Sequence, residues 1–172
     1  MTQINHVGEH PDAKALGECL LRRNAFVVTA ESCTGGLIGG ALTSVSGSSR
    51  WFDRGWVTYT NTAKREQLGV LQQTLEDFGA VSEPVARQMA AGALAMAPNA
   101  TLALAVTGIA GPGGGSSDKP VGLVWFGFAL RTDHDLVVSS IHQVFEGNRQ
   151  AVREAAVVFS LRYALQWLSG QP

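Results

Sequence analysis

Along residues 12–24, Ala13, Leu16, Leu20 and Leu21 recur at helical spacing, and Lys14, Glu18 and Arg22 fall outside that stripe. This pattern predicts an amphipathic helix, with Asp12 as its N-cap after Pro11. Residues 26–30 form a short apolar, β-branched run, which predicts a buried strand. A second helix, rich in Gly and Ala, is expected over 34–44, followed by a loop over 45–49. Residues 51–59 read as a loop entering a strand that ends in Thr60-Asn61-Thr62. Asn61 or Thr62 is then expected to cap a short helix over 63–68, which Gly69 stops. Another short amphipathic helix spans 71–78 and closes at Gly79. Ser82-Glu83-Pro84 is a helix start with proline in the first turn. The helix runs to about Met96, with Val85, Met89, Ala93 and Met96 on one side.

The remaining chain returns to strand patterning. Residues 101–106 predict a buried strand, and 107–120 a long glycine-rich loop. Residues 121–130 and 136–145 predict two strands joined by a turn at Thr132-Asp133-His134. So short a connection requires an antiparallel pair. Asn148 is expected to cap a final helix to about Leu168. The order of elements predicts one α/β domain with three layers, α/β/α, around a mixed, mainly parallel sheet. Ligands of such sheets bind at the carboxyl ends of strands. Three marked loops fall at such ends: 31–36, 59–64 and 107–115.

Composition narrows the function class. The chain has 172 residues, 45% of them hydrophobic and 16% charged, which suits a globular core. A net charge of −1 supplies no basic field for nucleic acid or an anionic membrane. The apolar runs stop short of membrane-spanning length, and the polar start carries no signal core. Cys19 and Cys33 form neither a disulfide framework nor a metal-ligand spacing. His6, His10, His134 and His142 show no metal-site spacing. A reduced, cytoplasmic protein with no metal and no cofactor is the expectation.

The densest chemistry lies in Glu31-Ser32-Cys33-Thr34-Gly35-Gly36, between the first strand and the second helix. Ser32 is a candidate nucleophile there, with amides nearby to hold an oxyanion. The plainer alternative is a helix cap followed by a turn. No lysine follows the glycines as in a phosphate loop, and the stretch is not a Gly-x-Ser-x-Gly elbow. Tyr59-x-Asn61-x-x-Lys64 follows another strand end. A desolvated Lys64 beside a serine can act as general base, with Tyr59 as a hydrogen-bond relay. Equally, Lys64 can be a solvated surface lysine and Tyr59 a strand residue. The loop 107–120 offers amides to a phosphate or ribose, and Lys119 and Arg149 can neutralise the charge.

Taken together, five blocks resemble the CinA C-terminal domain family, the nicotinamide-nucleotide amidases. They are Glu31-Ser32-Cys33-Thr34-Gly35-Gly36, Val57-Thr58-Tyr59-x-Asn61-x-x-Lys64, Gly79-Ala80-Val81-Ser82-Glu83, Thr107-Gly108-Ile109-Ala110-Gly111-Pro112-Gly113-Gly114 and Lys119-Pro120-Val121-Gly122. The likeness spans about residues 12–168. It implies hydrolysis of nicotinamide mononucleotide to nicotinate mononucleotide and ammonia. It implies Ser32 as nucleophile and Lys64 and Tyr59 in proton transfer. Glu31, Cys33, Thr34, Gly35, Gly36, Asn61, Thr107, Gly108, Gly111, Gly113, Gly114 and Arg149 are the expected substrate-binding residues. A homo-oligomer, with a dimer favoured, is expected. Larger members carry an N-terminal domain resembling molybdopterin-binding proteins, with a metal-dependent pyrophosphatase activity, which this chain is expected to lack. A non-catalytic nucleotide-binding or competence- and damage-associated module stays open, as does another amidase or esterase using the same dyad.

Overall fold

The computed structural model describes residues 9–170, so the reading of residues 1–8, His6 included, lies outside the described residues. The order of elements is α1 (Pro11–Arg22), β1 (Val27–Glu31), α2 (Leu37–Thr43), a 3-10 turn at Ser48–Arg50, β2 (Phe52–Val57), α3 (Asn61–Leu68) and α4 (Gln72–Phe78). It continues with α5 (Glu83–Met96), β3 (Leu102–Gly108), β4 (Leu123–Arg131), β5 (Leu136–Val144) and α6 (Arg149–Ser169). One five-stranded sheet has the order β2-β1-β3-β4-β5. β1 pairs in parallel with β2 and β3, while β4 is antiparallel to both its neighbours. Four strands therefore share one direction and β4 opposes them.

Each face of the sheet is covered. On one face Val27, Leu102, Leu104, Phe126 and Phe128 pack with α1, α2 and α6. On the other, Val28, Ala30, Ala103, Ala105 and Ala129 meet Val85, Met89 and Ala93 of α5. This double burial explains the unbroken apolar run of β3, which does not alternate. The second face is built from small residues because α5 lies close against it. A Cβ at Gly127 would collide with the Ala86 carbonyl of that helix. The crossover from β1 to β2 carries α2 on the first face. The crossover from β2 to β3 carries α5 on the second. The chain thus turns opposite ways from β1, and the carboxyl end of β1 is a topological switch point.

Local contacts revise several expected caps. α1 is capped at His10, with Pro11 in its first turn; Asp12 instead accepts from Arg162 Nε at 3.0 Å. Thr60, rather than Asn61 or Thr62, caps α3, its hydroxyl accepting from Ala63 N at 3.1 Å. Ser82 stands at the N-cap of α5, but its hydroxyl donates to Gly79 O. Asn148 caps α6 as expected, accepting from Ala151 N at 3.0 Å. α2 begins at Leu37 rather than at Thr34, because Gly35 and Gly36 adopt φ +59° and +96°. Among the described residues no helix is long and apolar enough to cross a membrane.

Candidate active site

Ser32 follows β1 directly, at the switch point. Its amide donates to Val106 O of β3 at 2.9 Å, and Thr58 N donates to Glu31 O at 2.8 Å. The turn at Ser32 is therefore clamped between the ends of β2 and β3. From the first turn of α3, Lys64 reaches back under the end of β2. Its ammonium donates to Ser32 Oγ at 3.0 Å and to Thr58 O at 2.8 Å. Lys64 is 1% exposed and Ser32 8%. Burial lowers the lysine pKa from its ordinary 10.5 to about 8, against a smaller opposing pull from Cys33. The solvated-lysine alternative is thereby removed. A neutral amine has two hydrogens and one lone pair. With one hydrogen on Thr58 O, the lone pair is free to accept the Ser32 proton.

Burial pushes the Cys33 thiol up to about 11, so at neutral pH it stays protonated and weakly nucleophilic. Among the described residues, no group of three or more His, Cys, Asp or Glu could hold a metal ion.

The helix end beside Ser32 is not open to substrate. Glu31, 1% exposed, places its carboxylate there. It accepts from Thr34 Oγ1 at 2.7 Å, Gly36 N at 3.0 Å, Ile38 N at 3.0 Å and Gly39 N at 2.8 Å. The anion that α2 attracts is the protein's own. Glu31 is thus a capping residue rather than a substrate contact, and the hydroxyl of Thr34 and the amide of Gly36 are committed to it. The amide of Gly35 is committed as well, to Ser32 O at 3.0 Å. Glu31→Gln, which sets an NH2 group against this ring of donors, is expected to cost about 2–3 kcal/mol in denaturant unfolding. A variant as stable as the parent would make the cap dispensable.

The other expected residues separate into two groups. Arg149, at the start of α6, donates to Tyr59 OH at 2.6 Å and to Gly111 O at 2.9 Å. The strand-end loop, the glycine-rich loop and the last helix thus meet at one rim. Tyr59 is 56% exposed and engaged there, and Lys64 contacts Ser32 with no relay between them. Asn61, Gly113 and Gly114 lie exposed, and Gly113 has open space where a side chain would stand. The second group is structural. Thr107 donates its hydroxyl to Ala80 O at 2.8 Å. A Cβ at Gly108 would meet Val124 and Leu123, and one at Gly111 would meet Val121. Lys119 donates to Phe78 O at the end of α4, so it is drawn away from the role considered for it beside Arg149.

Two participants were not expected from the sequence. One is the Thr58 carbonyl, a backbone group that no side-chain motif reveals. The other is Arg153, whose Nε donates to Cys33 O at 3.0 Å and whose Nη2 donates to Thr34 O at 3.1 Å. Its position four residues after Arg149, one helical turn on, was the available signal.

Comparison with known proteins places the chain among relatives of one family. The chain is 54% identical over 157 residues to nicotinamide-nucleotide amidohydrolase PncC of Enterobacter agglomerans, covering 91% of this chain and 93% of that protein. It is 47% identical over 150 residues to the protein of the same name from Escherichia coli strain K12, covering 87% and 88%. Among solved structures, the competence damage-inducible protein A of Klebsiella pneumoniae superposes with a TM-score of 0.89 at 34% identity, covering 96% of this chain and 99% of that one. The family model of the CinA C-terminal domain matches residues 9–169, and the chain belongs to that family.

Proposed function

We infer that the chain is a nicotinamide-nucleotide amidohydrolase, converting nicotinamide mononucleotide and water to nicotinate mononucleotide and ammonia. The observation that carries this reading is the buried Ser32–Lys64 pair, Oγ to Nζ 3.0 Å, at the switch point. Neutral Lys64 takes the Ser32 proton as Oγ attacks the carboxamide carbon. The carbonyl electron pair moves onto oxygen. When the intermediate collapses, the C–N bond breaks, and Lys64 returns the proton to the leaving ammonia. A water molecule, deprotonated by Lys64, then attacks the acyl-Ser32 ester and releases the carboxylate.

Two features of the substrate suit this proposal. Its cationic pyridinium withdraws electrons from the carboxamide and, near Lys64, favours the neutral amine. Its phosphate is a remote anchor, and Arg149 at the rim retains N–H groups beyond its bonds to Tyr59 and Gly111. Tyr59 belongs to this rim in the proposal, rather than to the proton path.

Ammonia release from nicotinamide mononucleotide and from nicotinamide riboside is the direct test. The mononucleotide is expected to be hydrolysed with kcat/KM at least about 100-fold above the riboside. No ammonia from either would leave a non-catalytic binding module. Equal efficiency would remove the phosphate anchor.

A further inference from the structure

An acyl-transfer site needs donors for the oxyanion, and around Ser32 most amides are already engaged. Ser32 N serves Val106, Gly35 N serves Ser32, and those of Gly36, Ile38 and Gly39 serve Glu31. The amide of Cys33, which follows Ser32 directly, makes no hydrogen bond among the described residues, and Cys33 is not fully buried. Among the described residues, the amide of Thr34 makes no hydrogen bond either, but Thr34 is fully buried and closed to a substrate. Thr34 N–H shares a peptide group with Cys33 C=O, and Gly35 N–H shares one with Thr34 C=O. The carbonyls of these two peptides are the pair that the Arg153 fork grips. A cation bonded to a peptide oxygen enlarges that peptide's dipole and strengthens its N–H as a donor. Arg153 is held for this task from a firm base, since Val152 and Ala156 beside it on α6 are fully buried. A side chain at Gly35 would stand 3.4 Å from Arg153 Nη2, so the turn and the guanidinium are fitted closely.

We propose that Arg153 is a positioning residue for acyl transfer, fixing and polarising the Cys33–Thr34 and Thr34–Gly35 peptides and, through Gly35 N–H on the Ser32 carbonyl, the Ser32–Cys33 peptide, so that Cys33 N–H stabilises the oxyanion. This rests on the amidase reading above. The oxyanion forms when Ser32 Oγ bonds to the acyl carbon and the carbonyl pair moves to oxygen. The donor acts at that stage and contributes little to ground-state binding. Arg153 therefore governs kcat rather than KM.

The experiment compares the parent with Arg153→Met and Arg153→Lys. Steady-state kinetics on nicotinamide mononucleotide are measured across pH, and the acylation burst with p-nitrophenyl acetate supplies a readout that does not depend on the natural substrate. Arg153→Met is expected to lower kcat and the burst rate by about 30–300-fold, with KM within about threefold. Arg153→Lys, which keeps the charge but cannot fork across two carbonyls, is expected to fall between. The pH limb of Lys64 should keep its midpoint, because the lysine stays buried. If Arg153 only supports the fold, its loss exposes Lys64 and that midpoint moves upward, which overturns the proposal. A rise in KM at constant kcat also overturns it and makes Arg153 a substrate anchor. Unchanged rates overturn it outright. A parent that gives the burst but no ammonia refutes the amidase reading alone, and the burst rates still decide Arg153. A parent with neither overturns both.

Discussion

Ser32→Ala is expected to lower ammonia release from nicotinamide mononucleotide by at least about 1,000-fold while leaving a folded protein. The hydroxyl is the only atom lost, and it is the atom in contact with Lys64 Nζ. No neighbour replaces it. Cys33 is adjacent, but its thiol, raised to about 11 by burial, is not ionised at neutral pH. The backbone bonds that hold the turn are untouched, since they use Ser32 N and O rather than the side chain. Lys64 keeps Thr58 O as a partner. The expected loss of stability is about 1–2 kcal/mol, the cost of one buried polar partner. Thermal unfolding and ammonia release on the same preparation check both halves. Turnover within tenfold of the parent would remove Ser32 as nucleophile.

The second large effect concerns Lys64 and pH. With a pKa of about 8, roughly one-tenth of the free enzyme carries neutral Lys64 at pH 7. The kcat/KM of the parent should therefore rise about tenfold above its pH 7 value and level off beyond the midpoint near 8. Lys64→Met and Lys64→Arg should both lose activity by at least about 1,000-fold, because neither gives a neutral base in this range. If Arg retained activity and the rising limb, Lys64 would be an anchor and not the base.

The same group leaves a mark on stability. Its folded pKa lies below the 10.5 of the free side chain. Between about 8 and 10.5 the unfolded chain binds more protons, so parent stability should rise with pH across that window. Below about 8 the cost of holding this lysine is fully present, on the order of 3 kcal/mol. Lys64→Met is free of it and should be the more stable protein at pH 7 by up to that amount. The difference should shrink as pH approaches 10.5. Denaturant unfolding at pH 7 and pH 10 reads this directly. A stability difference between parent and methionine variant that does not change from pH 7 to pH 10 would show that burial does not depress the lysine.

Helices and strands were legible because their signals act over a few residues. The stripe of Ala13, Leu16 and Leu20, the Ser82-Glu83-Pro84 start and the Asn148 cap each mark an element by neighbours in sequence. Where a local signal had competitors, it misled. Asp12 looked like a cap, but His10 holds that place and Asp12 reaches Arg162 of α6. The turn after β1 looked like the open start of a helix. Glu31 closes it from within, which no spacing rule foretells, because a carboxylate before a turn can face in either direction.

The order of elements, the glycine turn after β1 and the residue types Ser32, Tyr59, Lys64 and Arg149 were determined by the sequence itself. Only the tertiary structure decided where those residues stand and what they contact. Ser32 and Lys64 are 32 positions apart, and they meet because β2 lies in register beside β1. Lys64 is depressed toward 8 because the folded chain shuts water away from it, and sequence spacing carries no dielectric. Tyr59 turned to the rim because Arg149, 90 positions later, stands there to bond it. Arg153 reaches the Cys33 carbonyl beside Ser32 from 120 positions away, since α6 packs on the same face of the sheet as α2. Chain periodicity is a property of near neighbours. Proton affinity and hydrogen-bond partnership are properties of whatever the closed fold sets alongside.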